Sequence, residues 1–266
     1  MNNQWTQRMR SGTRQIGMWV ASGSPYVTEI CVGSGVDWVL LDQEHAPNDL
    51  RSTLAQLQAA AGYPDTEVVV RPPIADPVVI KQLLDIGACN LMLPMIDSAE
   101  QAVAAVAATR YPPVGIRGVG SALARASRWN RRVDYLGTAD RDVSVTVQVE
   151  SDRGLAALPQ IVAVEGVDAV FIGPADLAAA LGHLGDPEHP EVVAAVERAL
   201  VIIAAAGKPA GVNAFNEVLA RRYLAGGASF VLVGADVTLL ARGAERLVDT
   251  YEEVREAPTG SAEVWR

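Results

Sequence analysis

Lysine, histidine and cysteine are all scarce in this chain of 266 residues, which holds two lysines, three histidines and two cysteines. Cys31 and Cys89 stand alone in apolar surroundings without Cys-x-x-Cys spacing. That argues for buried, reduced thiols and against a disulfide framework or a cysteine metal site. No His-x-x-x-His pair occurs either, which argues against a zinc centre of the usual structural or hydrolytic kind. No apolar run approaches the roughly 18 residues of a membrane span, and the first ten residues lack the apolar stretch of a secretory signal. Excess positive charge is absent as well: the net charge is -9 and the pI about 4.9, so there is no electrostatic footprint for nucleic acid or an anionic membrane. The expectation is a cytoplasmic protein with neither nucleic acid nor membrane as partner.

Half of the residues are hydrophobic and 20% are charged, which suits one well-buried core of about the size of a single α/β barrel. Eight short apolar runs read as strands: 16–20, 37–42, 67–71, 90–94, 143–149, 168–172, 209–213 and 229–233. Ala- and Leu-rich segments with helical spacing separate most of them, as in 49–58 and 190–199. Gly35, Gly87, Gly166 and Gly227 each stand just before a strand, where a helix C-cap turns into the sheet. Continuous apolar strands alternating with helices predict a parallel sheet covered by helices, and eight units predict closure into a (β/α)8 TIM barrel over a single domain, 1–266. An open doubly wound sheet is the second choice. After the last strand, Leu239, Leu240, Leu247, Val248, Tyr251 and Val254 predict an extra C-terminal helix with an apolar face, and 257–266 reads as a weakly ordered tail.

Four of the strands finish in chemically capable side chains. Val36–His45 is an apolar run ending in Asp42, Glu44 and His45; Arg71 follows three valines and precedes Pro72 and Pro73; Gln148 and Glu150 close the fifth strand; Asp176 follows the sixth. In a parallel barrel all strand C-termini open on one face, so these residues should converge. Glu150 and Asp176 offer two hard oxygen ligands on adjacent staves, suited to Mg2+ or Mn2+; capping of the following helices is the alternative reading. Arg71 could hold a carboxylate and stabilise a developing enolate, or pair with a neighbouring strand-end acid. His45 titrates in the useful range beside acids that could orient it. His183 and His189 lie in a turn-rich loop and read as solvated. The longest interruption, 111–142, carries Arg117, Arg125, Arg128, Arg131 and Arg132; a loop of this length suits a lid or binding element. It is neither a Walker A loop nor a dinucleotide fingerprint. Solvated arginines or a subunit interface are preferred over a phosphate site.

Leu41-Asp-Gln-Glu-His-Ala-Pro-Asn48, Lys81-Gln-Leu-Leu-Asp-Ile-Gly-Ala88, Thr109-Arg-Tyr-Pro-Pro113, Arg117-Gly-Val-Gly120, Gln148-Val-Glu150 and Phe171-Ile-Gly-Pro-Ala-Asp-Leu177 resemble the HpcH/HpaI aldolase family, with the blocks in order from about residue 16 to 240. The resemblance implies a class II aldolase acting on 4-hydroxy-2-oxo acids, releasing a 2-oxo acid, pyruvate or hydroxypyruvate, and an aldehyde. It implies a divalent metal, Mg2+ or Mn2+ with Co2+ as a further candidate, held by Glu150 and Asp176 and chelated by the 2-oxo acid. It also implies His45 as base, Arg71 as transition-state stabiliser, and Gln148 and the backbone of Ala175 as substrate contacts; Asp42 joins the catalytic group by its strand-end position. Asp85 matches an acid that raises the basicity of the histidine and arrives from a neighbouring subunit, since family members are commonly hexameric homo-oligomers.

Two positions depart from the pattern. Gln43 replaces a glycine beside the base, where its amide would narrow or polarise the site. Val212-Asn213 replaces a more apolar pair at the seventh strand end, which puts Asn213 among the substrate contacts and leaves pyruvate and hydroxypyruvate both open as donors. The competing chemistry is acyl-CoA lyase or decarboxylase action on the same site. A Schiff-base mechanism lacks its lysine, because Lys81 falls on a predicted helix and Lys208 just before the seventh strand, at the opposite face. A non-catalytic barrel would have lost an acid, base or ligand, and none is missing.

Overall fold

The computed structural model describes residues 3–252. Its strands are β1 Gln15–Val20, β2 Trp38–Asp42, β3 Glu67–Arg71, β4 Asn90–Leu93, β5 Ser144–Val149, β6 Ala169–Ile172, β7 Ala210–Asn213 and β8 Phe230–Ala235. They pair in sequence order, all parallel, and β8 closes on β1 to make a barrel. All eight expected strands are present, and the open doubly wound sheet is excluded. The helices are α1 Gln4–Arg10, α2 Pro25–Val32, α3 Leu50–Ala60, α4 Pro77–Asp85, α5 Ala99–Ala108, α6 Tyr135–Asp142, α7 Asp152–Ala156, α8 Leu158–Val162, α9 Pro174–Ala180, α10 Pro190–Ala205, α11 Glu217–Ala225 and α12 Asp236–Thr250. Among the described residues no helix is long and apolar enough to cross a membrane.

Local signals explain the regular alternation. Asp49, Asp76, Ser98 and Asn216 each accept from the first turn of α3, α4, α5 and α11 through their side chains, satisfying donors a helix start leaves idle. In the turns that lead from α2, α4, α8 and α11 into the next strand, Gly35, Gly87, Gly166 and Gly227 have φ of 89°, 99°, 88° and 109°, a left-handed conformation that ordinary side chains resist. The large core is the apolar shell between strands and helices. A second, smaller core fills the barrel interior, built on Trp38, Phe171 and Phe230.

Helix α1, which the sequence pattern did not announce, closes the N-terminal end of the barrel. Its Trp5 is 1% exposed, with its ring tilted against Trp38 at 5.1 Å and edge-on to Phe230 at 5.4 Å. Room for these rings comes from two glycines: a Cβ on Gly17 would lie 2.3 Å from Trp38, and one on Gly211 would lie 2.2 Å from Phe230. The barrel is thus a vessel plugged at one end by aromatics and open at the end where the strands finish.

The segment 111–142 corrects one expectation. It carries no lid over the strand C-termini, because it docks at the opposite end: Ala126 N donates to Asp85 O at 3.0 Å, Arg125 Nη1 to Ile86 O at 2.8 Å, and Arg117 Nη2 to Asp85 at 2.8 Å. Arg117 is buried, not solvated. His183 and His189 likewise differ from the solvated reading: both are half-buried, their rings stack 3.5 Å apart, and His189 caps α10 by accepting from Glu191 N. Cys31 is buried and Cys89 exposed, both as free thiols. The expected C-terminal helix is α12, and its apolar side is uncovered, with Leu239, Leu240, Leu247 and Val248 all more than half exposed. Val254 and the 257–266 tail lie outside the described residues.

Overfilling the aromatic plug should be costly. Gly17→Ala is expected to destabilise the barrel by about 1–3 kcal/mol, seen as a lowered Tm, and Trp38→Leu should recover part of that loss. A Gly17→Ala protein as stable as the parent would show that the plug is loosely packed.

Candidate active site

Arg71 is the centre of the open end. It sits in register opposite Asp42 at the ends of β3 and β2, and its guanidinium is 5% exposed. Nε and Nη2 donate to the two carboxylate oxygens of Asp42 at 2.8 and 2.9 Å. This is the bidentate fork that guanidinium and carboxylate geometry favour. Nη1 lies 2.9 Å from Glu44 Oε2 and 3.4 Å from Gln148 Oε1. One face of the guanidinium rests on the Trp19 ring, 4.3 Å from its centroid, and the Trp19 indole in turn donates to Asn213 at 2.8 Å. Asp42 also accepts from the backbone N–H of Glu44 and His45. The carboxylate therefore fixes both the arginine and the turn that carries the histidine.

The carboxylates on the far side of Arg71 are in a different state. Glu150 is 2% exposed; it accepts from Met95 N at 3.0 Å and from the Gln148 amide. Burial first, and then the nearby charges of Glu44 and Asp176, push its carboxyl up to about 7, against the two hydrogen bonds that favour ionisation. Glu44 is also raised, again by burial first, with Asp42 and Asp176 adding to the effect while Arg71 and His45 oppose it. Asp176 lies in the exposed first turn of α9. His45 stands at the rim with its side chain 65% exposed, its Nε2 3.9 Å from Glu44 Oε2.

A cation fits this arrangement. Four carboxylates share the mouth with a single guanidinium, and Asp42 is already fully engaged by it. Glu44 Oε2 is buried without an aligned donor, and Glu150 holds its proton to about pH 7. Gly173 keeps space open above Glu150, since a Cβ there would stand 2.5 Å from Oε2. Oxygen donors short of positive charge and open on one side match a hard divalent ion, which Glu150 and Asp176 could hold from adjacent strands.

The structure thus joins Asp42, Glu44, Arg71, Gln148 and Glu150 in one network, with His45 and Asp176 at its exposed edge. Ala175 and Asn213 line a neighbouring cavity of about 130 Å3 between the ends of β6 and β7. Gln43 does not press on the base: its amide donates to Thr53 Oγ1 at 2.8 Å and is turned toward α3. Asp85 is not at this mouth. It ends α4 at the other face of the barrel, paired with Arg117, with a nine-residue helix of about 13 Å between the two ends. Trp19, Met95 and Gly173 were missed. Trp19 is the penultimate residue of β1, one place short of the strand end that marked Arg71 on β3. Met95 uses a left-handed φ of 56° in the loop where it aims its N–H at Glu150, which has no signal in residue type.

A raised carboxyl stabilises the fold at low pH and loses that contribution as pH rises. For Glu150 the loss spans the interval from the ordinary 4.5 to about 7, worth roughly 3 kcal/mol. In metal-stripped protein, the stability advantage of Glu150→Gln over the parent should grow by about that amount between pH 4.5 and 8. A constant gap in urea titrations across this range would contradict a retained proton.

Known proteins place this geometry in context. The model of the HpcH/HpaI aldolase/citrate lyase family matches residues 15–243. A hydroxypyruvate/pyruvate aldolase of Pseudomonas aeruginosa is 56% identical over 99% of this chain and 98% of its own. A 4-hydroxy-2-oxo-heptane-1,7-dioate aldolase of Klebsiella pneumoniae is 57% identical over 94% of each. Among solved structures, an HpcH/HpaI aldolase/citrate lyase family protein from Burkholderia cenocepacia superposes with a TM-score of 0.90 at 42% identity, covering 96% of this chain and all of that one. Strand-end chemistry, barrel topology and full-length similarity agree, and the chain belongs to the HpcH/HpaI aldolase family of carbon–carbon lyases.

Proposed function

We propose that this chain is a divalent-metal-dependent aldolase of the cytoplasm that cleaves 4-hydroxy-2-oxo acids to pyruvate or hydroxypyruvate and an aldehyde, and joins them in reverse. The observation that carries the reading is the mouth itself, where one buried guanidinium faces a cluster of carboxylates short of positive charge. Glu150 and Asp176 hold the metal, with Mg2+ or Mn2+ best suited to their oxygen donors and Co2+ as a further candidate. When bound, the ion supplies Lewis-acid polarisation of the 2-oxo group.

The remaining steps belong to this chain's residues. Gln148 and the backbone of Ala175, in the first turn of α9, orient the 2-oxo acid. Arg71, locked by Asp42 and backed by Trp19, presents Nη1 to the oxygen that gains charge as the C3–C4 bond breaks. Its orientation is fixed before the reaction, so no reorganisation is needed as the enolate forms. His45 takes the proton from the 4-hydroxyl and returns it in the condensation direction. Asn213, held by Trp19, presents a polar side chain beside Ala175, which suits a hydroxylated donor as well as pyruvate. Asp42 is a positioning residue.

Asp85 enters only from a second copy, because α4 carries it to the far face of its own barrel. An oligomer, of hexameric size by family likeness, would bring one chain's far face against another's mouth. The uncovered apolar side of α12 and the exposed Val114, Val119, Leu123 and Val133 of the 111–142 segment are surfaces that such an assembly would cover.

Deuterium incorporation at C3 of pyruvate and hydroxypyruvate in D2O tests the proposal without a choice of aldehyde. Exchange should require Mn2+ or Mg2+ and vanish in Glu150→Ala. Arg71→Lys is expected to slow cleavage about 10²–10³-fold and His45→Ala about 10²–10⁴-fold, both with metal binding retained. Absence of exchange from either acid with every metal would refute the reading, and thioester turnover in that case would point to acyl-CoA lyase chemistry.

A further inference from the structure

A second group of cationic side chains lies at the end of the barrel remote from the mouth. Where the 111–142 segment folds beneath the turn between α4 and β4, it encloses a cavity of about 170 Å3 lined by Arg117, Arg125, Arg128 and Arg132, together with Asp142 and Tyr135. That space far exceeds the ~10–15 Å3 needed for one water. Arg117 is its innermost member. Its side chain is 0% exposed, and only Nη2 is engaged, donating to Asp85 at 2.8 Å and to the Tyr135 hydroxyl at 3.1 Å. Nε and Nη1 are buried without a partner, although its flat face is covered by Tyr111 at 4.5 Å. Buried donors are nearly always satisfied, because leaving one idle forfeits its hydration without return.

The other three arginines keep capacity in reserve. Arg125 spends Nη1 on the Ile86 carbonyl at 2.8 Å. Arg132 pairs with Asp142. Arg128 opens a run of three left-handed residues, with φ of 54°, 55° and 62° at Arg128, Trp129 and Asn130, a backbone form that persists only where its surroundings enforce it. Against four guanidiniums the site sets two carboxylates, Asp85 and Asp142, which leaves an excess of two positive charges on a chain whose net charge is -9. Guanidiniums match the paired oxygens of phosphate and carboxylate groups.

We propose that this cavity binds a compact oxyanion of two negative charges, of phosphate size, at the end of the barrel remote from that barrel's own mouth. Arg125, Arg128 and Arg132 meet the ion from the solvent side, and Arg117 lies behind them as a buried positive charge. Inorganic phosphate is the probe, titrated into the full chain at constant ionic strength with chloride as the balancing salt. Both calorimetry and the shift in Tm are read. Saturable binding is expected, weakened at least tenfold in Arg125→Gln/Arg128→Gln and unchanged in Arg71→Lys. The single variant Arg128→Gln, altered at an exposed position, serves if the double variant does not fold, and should also weaken binding. Sulfate binding like phosphate would assign a tetrahedral dianion, whereas tighter binding of malonate would assign a short dicarboxylate; both support the site. Phosphate that acts no differently from chloride, that binds equally to the Arg128 variants, or that is lost in Arg71→Lys would overturn it.

Discussion

The two-pronged contact between Asp42 and Arg71 is the constraint on which the open end of this barrel depends. Both groups are almost fully buried, so neither can relax into water, and removal of either would strand the other's charge at a cost of about 3–5 kcal/mol. The contact is also geometric. β2 and β3 pair in register up to these two residues, so the strands that make the barrel also set the fork. From that fork the rest follows outward: Trp19 lies under the guanidinium, Gln148 and Glu44 meet its free edge, and the turn to His45 hangs from the same carboxylate.

The mouth is built with more negative charge than it can use alone. Asp42 is neutralised by Arg71, while burial first, and the neighbouring carboxylates after it, raise the affinity of Glu44 and Glu150 for protons. Glu150, deepest among them, carries the largest displacement. Such frustration has a structural support below it, in the aromatic plug of Trp5, Trp38 and Phe230, which keeps the far end closed and rigid. A barrel of this kind can hold strained electrostatics at one end because its stability is generated elsewhere.

Much of this was legible in the sequence. Each strand was marked by a short apolar run and most by a preceding glycine turn, and the residues ending those runs were the ones that met at the mouth. The argument worked because parallel closure is a strong rule: once eight units are counted, residues such as Arg71 and Glu150, distant in the chain, must share a face. What escaped lacked a periodic or chemical signature. Helix α1 is too short and too mixed to announce itself. The space above Gly173 and the backbone twist at Met95 are negative or conformational features. The side chain of Gln43 was assigned to the site by adjacency alone, whereas Thr53 on α3 captured it. Asp85 came from family likeness, and within one barrel the topology puts it at the end opposite His45, paired with Arg117.

The scarcity of lysine has a practical side. Lys208 is tied to the carbonyl oxygens of Val164 and Val167, and Lys81 lies half-buried on α4. Reagents that seek primary amines therefore find almost no side chain to modify on this protein. Attachment to a surface or to a dye through side chains would turn to carboxylates, where it competes with the mouth itself, because burial pushes the thiol of Cys89 up and leaves it a weak nucleophile.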